Sequence, residues 1–311
     1  MHTLALALLL AVTSGETSDA PETAAPRVAI VGASVSAGFG LSRELEADCD
    51  LTPFVRAALV RDHGQIANLG DGMLFLDPVK GAREQLEAAT ALEPDLLLAG
   101  DLAFWFGYGT ARDTQARLAR LERGLALLEE LPCPIVLGDF PDMSPALQGS
   151  SPLNLGKPIL RPEQVPSRDE LVALNEHLHA WAAEHEHVHV FGMSGFVQRL
   201  HDDEVFELRG IEVAAEEKAG LLQSDLLHPT VRGSALFTLL VLDHAVKAGL
   251  LDEAHVRWEL EPVEQGAWEH TRAEREKKQE RRRRREERKR KLEERKREKE
   301  GSQPGEEREA A

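Results

Sequence analysis

Five short apolar runs, each followed by a longer stretch of polar and helix-patterned residues, set the strongest limit on how this chain can fold. The runs cover residues 27–31, 66–69, 95–99, 135–138 and 188–191. Short continuous apolar runs of this kind belong to strands buried on both faces, and such strands need helices on either side to cover them. Helical spacing fills the intervals: residues 114–131 align Leu118, Leu121, Leu125, Leu127 and Leu128, and residues 168–184 align Leu171, Leu174, Leu178 and Trp181. Residues 233–250 read as a last helix with an apolar face, and residues 144–165, rich in Pro and Gly, as a loop across the end of the sheet. The pattern predicts an α/β fold with one five-stranded, doubly wound parallel sheet.

With 311 residues, 42% of them hydrophobic, the chain can bury one sizeable core. The apolar run 4–12 is nine residues long, too short to span a bilayer, which takes about 20 residues. It reads as the core of a signal peptide over 1–20, followed by a linker over 21–26, and the chain is expected to be exported, to a periplasmic or secreted location. The body is acidic and the tail basic. Residues 1–270 hold 19 Lys and Arg against 42 Asp and Glu, while residues 271–300 hold 17 against 9. An acidic body argues against a nucleic-acid partner, since binding phosphates requires cationic neutralisation. Residues 272–291 contain no large apolar side chain, so no coiled-coil seam can form there, and the segment is expected to be a solvated charged helix or a disordered arm. Its charge would suit anionic envelope polymers or lipid head groups. Two cysteines, Cys49 and Cys133, are too few for a disulfide framework or a four-cysteine zinc site; pairing and free thiols both stay open.

Two segments carry candidate chemistry. The first, Gly32-Ala33-Ser34-Val35-Ser36-Ala37-Gly38-Phe39-Gly40, follows the first strand, and in doubly wound sheets ligands bind at the carboxyl ends of the strands. A serine there, flanked by glycines and ahead of a helix, stands where free N–H groups can stabilise an oxyanion. A small-residue loop after a strand also opens many phosphate sites, although the spacing here is neither G-x-G-x-x-G nor the lysine-bearing P-loop. A serine hydroxyl needs a base, and the base needs a carboxylate to hold its tautomer. Asp225-Leu226-Leu227-His228 offers both, as does Asp252-Glu253-Ala254-His255. Pro229 pushes His228 out of helical backbone into a loop ahead of a helix, whereas His255 sits in a charged surface stretch, so the first pair is preferred. Histidines 177, 179, 185, 187 and 189 invite a metal reading, but no matching carboxylate or cysteine motif accompanies them and no metal is expected. The aromatic segment 104–109 is either a pocket wall or a lid on the core.

Together the two motifs resemble those of the SGNH or GDSL-type hydrolases. Residues 32–38 are similar to the nucleophile motif G-D-S-L-T-x-G, and Asp225-x-x-His228-Pro229 with Gly233 resembles the closing D-x-x-H-P-x-x-x-G. The resemblance covers residues 27–250, leaving 251–311 as a charged extension. It implies a flavodoxin-like three-layer α/β/α sandwich in which Ser34 attacks an ester carbonyl, His228 acts as base and then acid, and Asp225 orients the ring. It also implies an oxyanion site made by the Ser34 N–H, a loop glycine and an asparagine side chain. Gly70 and Gly72 compete for the glycine, with Gly72 favoured. Ala33 stands where the family has aspartate, and Gly100-Asp101-Leu102-Ala103 stands where it has G-x-N-D. The donor asparagine is absent, and losing one oxyanion donor typically lowers rates by about 100- to 1000-fold. The protein is then a slower enzyme, one that uses another donor such as Asn68, or not an enzyme. Asp101 is left to bind a substrate hydroxyl or to hold the nucleophile loop.

The expected activity is therefore cofactor-free hydrolysis of a carboxylic ester through an acyl-enzyme, the substrate being a small ester, a lipid or an acetylated glycan. The alternatives are a catalytically weakened binding module with the same cleft and an acyltransferase acting on envelope glycans.

Overall fold

The computed structural model describes residues 26–60, 64–151, 156–202 and 204–301. The expected signal peptide and most of the linker lie outside the described residues. In chain order the elements are β1 (Val28–Ile30), α1 (Ser42–Leu45), α2 (Thr52–Ala58), β2 (Ile66–Asn68), α3 (Pro78–Thr90), β3 (Leu96–Ala99), α4 (Phe104–Gly107) and α5 (Thr114–Leu125). There follow β4 (Ile135–Gly138), α6 (Arg168–Ala183), β5 (Val188–Phe191), α7 (Met193–His201), the hairpin strands β6 (Phe206–Leu208) and β7 (Ile211–Val213), α8 (Ala215–Lys218), α9 (Val231–Lys247), α10 (Leu260–His270) and α11 (Arg272–Gly301).

The five apolar runs pair in the order β2-β1-β3-β4-β5, all parallel, with Val28 opposite both Ile66 and Leu96 and Ile135 opposite Val188. This is the flavodoxin-like order. Helices α3, α5 and α6 pack together as one covering layer, while α2, α9 and α10 form the other, with α9 against β4 and β5. Helix α9 is buried on nearly every side, consistent with its central place in that layer. Local chemistry sets where helices begin. Asp113 accepts from the Ala116 N–H at the start of α5, Ser167 and Glu170 form a reciprocal capping box on α6, and the Thr230 hydroxyl accepts from the Gly233 N–H at the start of α9.

The packed body does not stop at 250. Val256 bridges to Leu59, the Arg257 N–H donates to the Ala58 carbonyl at 2.7 Å, and Leu260, Val263 and Ala267 of α10 are buried against α2 and α9. The boundary expected there moves to about Thr271, where the exposed basic helix α11 begins. Near its start that helix is tethered by the Lys278 ammonium donating to the Glu46 carbonyl at 2.9 Å and by Arg282 paired with the Glu46 carboxylate at 3.3 Å. Among the described residues no helix is long and apolar enough to cross a membrane. Cys49 and Cys133 are both buried and free, and burial, with the nearby Asp50 charge, pushes the Cys49 thiol up to about 12.

Strand order reverses between β1 and β3, the switch point outside whose carboxyl ends ligands bind in sheets of this kind. Ser34 follows β1 and Asp101 follows β3, so both fall at this switch point.

Candidate active site

The loop after β1 is held by a buried carboxylate. Asp101 is only 4% exposed; its Oδ2 accepts from the N–H groups of Val35 at 2.8 Å and Ser36 at 3.3 Å, and its Oδ1 from the Ser36 hydroxyl at 2.6 Å. Burial pushes its carboxyl up, and the Ser36 hydroxyl with the N–H groups of Ala33, Val35 and Ser36 opposes that without reversing it. Of the two roles left open for Asp101, the geometry corresponds to holding the nucleophile loop. Gly32 is required by this arrangement, because a Cβ there would lie 2.0 Å from the Asp101 Oδ1. Gly38 is required by the next turn: its φ is +70°, and a Cβ would lie 1.8 Å from the Cys49 carbonyl.

From the other end of the chain, the loop ahead of α9 brings in the base. The Asp225 Oδ1 accepts from the N–H groups of Leu227 at 3.1 Å and His228 at 3.0 Å, closing a turn in which Leu226 takes a left-handed φ of 56°. The Oδ2 of the same carboxylate lies 2.9 Å from the His228 Nδ1, and the His228 Nε2 lies 2.9 Å from the Ser34 Oγ. Ser34 and His228 are 194 positions apart in the chain, and the fold brings them into hydrogen-bond contact. Asp225 and His228 are almost wholly buried, while Ser34 is partly exposed at the crevice. The Phe39 ring packs on the His228 ring with centroids 4.3 Å apart. It fixes the imidazole plane from the side that Asp225 does not touch.

Burial pushes the Asp225 carboxyl up, but the hydrogen bond from the His228 ring, the charge of that ring and the two backbone N–H donors outweigh it, leaving the carboxyl below the ordinary aspartate value. A depressed folded value stabilises the fold above about pH 4, the ordinary aspartate range, and that stabilisation is lost as pH falls through the folded value. Denaturation midpoints of the wild type and Asp225→Asn are therefore expected to converge as pH is lowered from 7 to 3; a gap independent of pH contradicts the shift. Asp101, common to both proteins, drops out of the comparison.

Three further residues expected at the oxyanion site lie at the end of β2, Asn68, and in the loop after it, Gly70 and Gly72. Asn68 donates from Nδ2 to the Ser36 carbonyl at 2.7 Å and accepts at Oδ1 from the Gly70 N–H at 2.8 Å. Both residues are thereby engaged in bracing the nucleophile loop, and Gly70 packs so closely that a Cβ would lie 2.8 Å from the Ser36 Cβ. Gly72 differs. The Asp71 N–H donates to the Gly32 carbonyl at 3.0 Å, which draws the loop against the turn that carries Ser34, and Gly72 lines a cavity together with Ser34 and His228. Among the described residues the N–H groups of Ser34 and Gly72 have no hydrogen-bond partner.

The aromatic segment is a wall of the site. Phe104 stacks on Tyr108 at 4.0 Å, and Trp105 meets Phe104 edge-on at 5.1 Å and Phe75 at 5.7 Å. The Tyr108 hydroxyl donates to the Pro141 carbonyl at 2.6 Å and accepts from the Met143 N–H at 2.9 Å. Two arginines of α5 hold the loop's carbonyls: Arg117 donates to Gly107 and Gly109 and pairs with Glu170 at 3.0 Å, and Arg120 donates to Phe106 and Tyr108. Burial and the charges of Arg117 and Arg123 lower Arg120 to about 10. Sequence reading missed Phe39, Arg117 and Arg120. The two arginines were legible only as a polar interruption of the leucine stripe on α5.

The remaining candidates lie elsewhere. Asp252 and His255 form a one-turn helix, with the Asp252 carboxylate accepting from the Ala254 N–H at 2.9 Å and the His255 carbonyl accepting from the Val60 N–H at 3.0 Å. His187 bonds the Leu128 carbonyl at 3.0 Å and His185 the Trp181 carbonyl at 2.7 Å, tying β5 and the end of α6 to their neighbours.

No family model matches this chain, and no curated protein does either. Solved structures that superpose on it include a lipase/acylhydrolase from Enterococcus faecalis, with 15% identity and a TM-score of 0.46 over 72% of this chain and 96% of that one. They also include the psychrotrophic esterase EstA from Pseudoalteromonas sp., with 15% identity and a TM-score of 0.42 over 71% of this chain and 97% of that one.

Proposed function

We propose that this protein is an SGNH-type serine esterase that cleaves carboxylic esters through an acyl-enzyme. The observation that carries the reading is the unbroken relay from Asp225 through His228 to Ser34, with both contacts at 2.9 Å. A hydroxyl in contact with an imidazole, itself oriented by a buried carboxylate, is the arrangement that activates an alcohol as a nucleophile.

In this reading the Ser34 Oγ attacks the ester carbonyl carbon while the His228 Nε2 takes its proton. The imidazolium is stabilised by Asp225, whose carboxyl is held in its charged form. The oxyanion that develops is met by the N–H groups of Ser34 and Gly72, two preorganised donors in place of a third from the missing asparagine. The C–O bond to the alcohol then breaks and His228 returns the proton to the departing oxygen. Water, deprotonated by the same imidazole, attacks the acyl-enzyme and releases the acid. Every step uses groups of this chain, and none requires a cofactor.

Release of nitrophenolate from p-nitrophenyl esters with acyl chains from acetyl to octanoyl tests the reading on the full chain. Turnover well above the uncatalysed rate is expected. Release no faster than in buffer across the whole series contradicts it and favours a binding module that keeps the crevice without the chemistry.

A further inference from the structure

Ser34 stands where two cavities meet, and His228 borders only one of them. The first cavity, termed the inner one, is lined by Ser34 and Val35, by Met193, Val197 and Leu200 of α7 and by Phe237 of α9. Apart from Ser34 and Asp101, its lining side chains are all apolar, and the Asp101 carboxylate is already satisfied by the nucleophile loop. The second cavity, termed the outer one, holds Gly72 and His228 beside Ser34, walled by Phe39, Phe75, Trp105 and Ile159.

The chemistry distinguishes the two. His228 must deliver a proton to the oxygen of the departing alcohol, so the alkoxy group has to lie on the imidazole side of the reacting carbon. That is the outer cavity, which also contains the second oxyanion donor. The acyl chain is the remaining substituent on the tetrahedral carbon and is left the inner cavity. An acetyl group would leave that apolar space unfilled, whereas an aliphatic chain would remove its own surface from water there.

We infer that the inner cavity is the acyl-chain subsite and the outer, aromatic cavity the alcohol subsite, so that the substrate is an ester of an apolar acyl chain longer than acetyl. The inference rests on the serine-esterase reading. It adds a direction to the bound ester and selects among the substrate classes open from the sequence, with acetylated glycans ranking below acyl lipids and aliphatic esters.

Two substrate series separate the subsites: p-nitrophenyl esters from acetyl to octanoyl, and alkyl butyrates from methyl to octyl followed by titration of the acid released. In the wild type kcat/KM is expected to rise about fourfold with each methylene added to the acyl chain until the cavity is filled. Val197→Trp, which places an indole in the inner cavity, is expected to lower the octanoyl-to-acetyl ratio at least tenfold while the slope of the alcohol series stays as in the wild type. Ile159→Trp, in the outer cavity, should do the reverse. Leu200→Phe fills less volume and gives the same readout if the larger substitution at Val197 impairs folding, judged by circular dichroism. Flattening of the alcohol series by Val197→Trp overturns the assignment, as does turnover with a flat acyl series in the wild type. Absence of turnover with every ester of both series overturns the serine-esterase reading, and the assignment with it.

Discussion

Ser34→Ala is expected to lower kcat for a nitrophenyl ester by about 10⁴-fold or more, and adding His228→Ala to it is expected to lower kcat no further. The reason is that the two side chains form one device. In the proposed reading the Ser34 hydroxyl becomes a nucleophile only as the His228 Nε2, 2.9 Å away, removes its proton in the transition state. Without the hydroxyl there is nothing for the base to deprotonate; without the base the hydroxyl stays inert. A 10⁴-fold loss corresponds to about 5.5 kcal/mol of transition-state stabilisation, more than a surface hydroxyl's packing could contribute. KM is expected to move little, because the substrate is held by the apolar walls and not by the hydroxyl. Losses that multiply in the double variant would mean that the residues act separately, which the contact between them does not allow.

The second large effect concerns a donor that carries no side chain. Gly72→Pro removes the N–H proposed to meet the oxyanion, and kcat is expected to fall about 100- to 1000-fold. Gly72→Ala is the control. Its N–H remains, Gly72 is not among the glycines with positive φ, and a Cβ there would meet only the Ala37 Cβ at 4.0 Å. The alanine variant is therefore expected to keep kcat within a few-fold of the wild type. The pair isolates the N–H from the shape of the loop, which a single substitution at this position could not do. Equal losses in both variants would assign the effect to loop geometry and leave the oxyanion with Ser34 alone.

The parallel sheet was legible because strands buried on both faces leave unbroken apolar runs; those at Ile135–Gly138 and Val188–Phe191 coincide with β4 and β5 residue for residue. The β6-β7 hairpin was not. Its two-residue turn is Arg209-Gly210, with φ of 49° and 81°, where the usual signal is Asn-Gly or Asp-Gly. The left-handed arginine is held by its pairing with Asp243 at 2.7 Å and its stacking over Trp258 at 4.8 Å, contacts that a local reading of the chain cannot contain. Helix α10 was hidden for a different reason. Leu260, Val263 and Ala267 do have helical spacing, but the acidic residues around them resemble the start of the charged tail.

In the site, Asp225 and His228 could be read because a three-residue spacing is a local fact, and Pro229 marked the loop. For Asp101 the sequence left two roles open, and choosing between them needs its partners Val35 and Ser36, which come from a different strand's loop and depend on β1 and β3 being neighbours. The same holds for Phe39 against His228. Gly70 and Gly72 look alike in sequence; what separates them is that one N–H is engaged by Asn68, while the other, at a residue that lines the cavity shared with Ser34, has no partner among the described residues.

The Ser34 Oγ is the proposed nucleophile. Incubating the full chain with a fluorophosphonate, which phosphonylates an activated serine, and identifying the modified peptide by mass spectrometry measures it directly. The account predicts a single adduct on the peptide containing Ser34, lost in Ser34→Ala and slowed by several orders of magnitude in His228→Ala. An adduct on another residue, or no adduct on a folded protein, would contradict it.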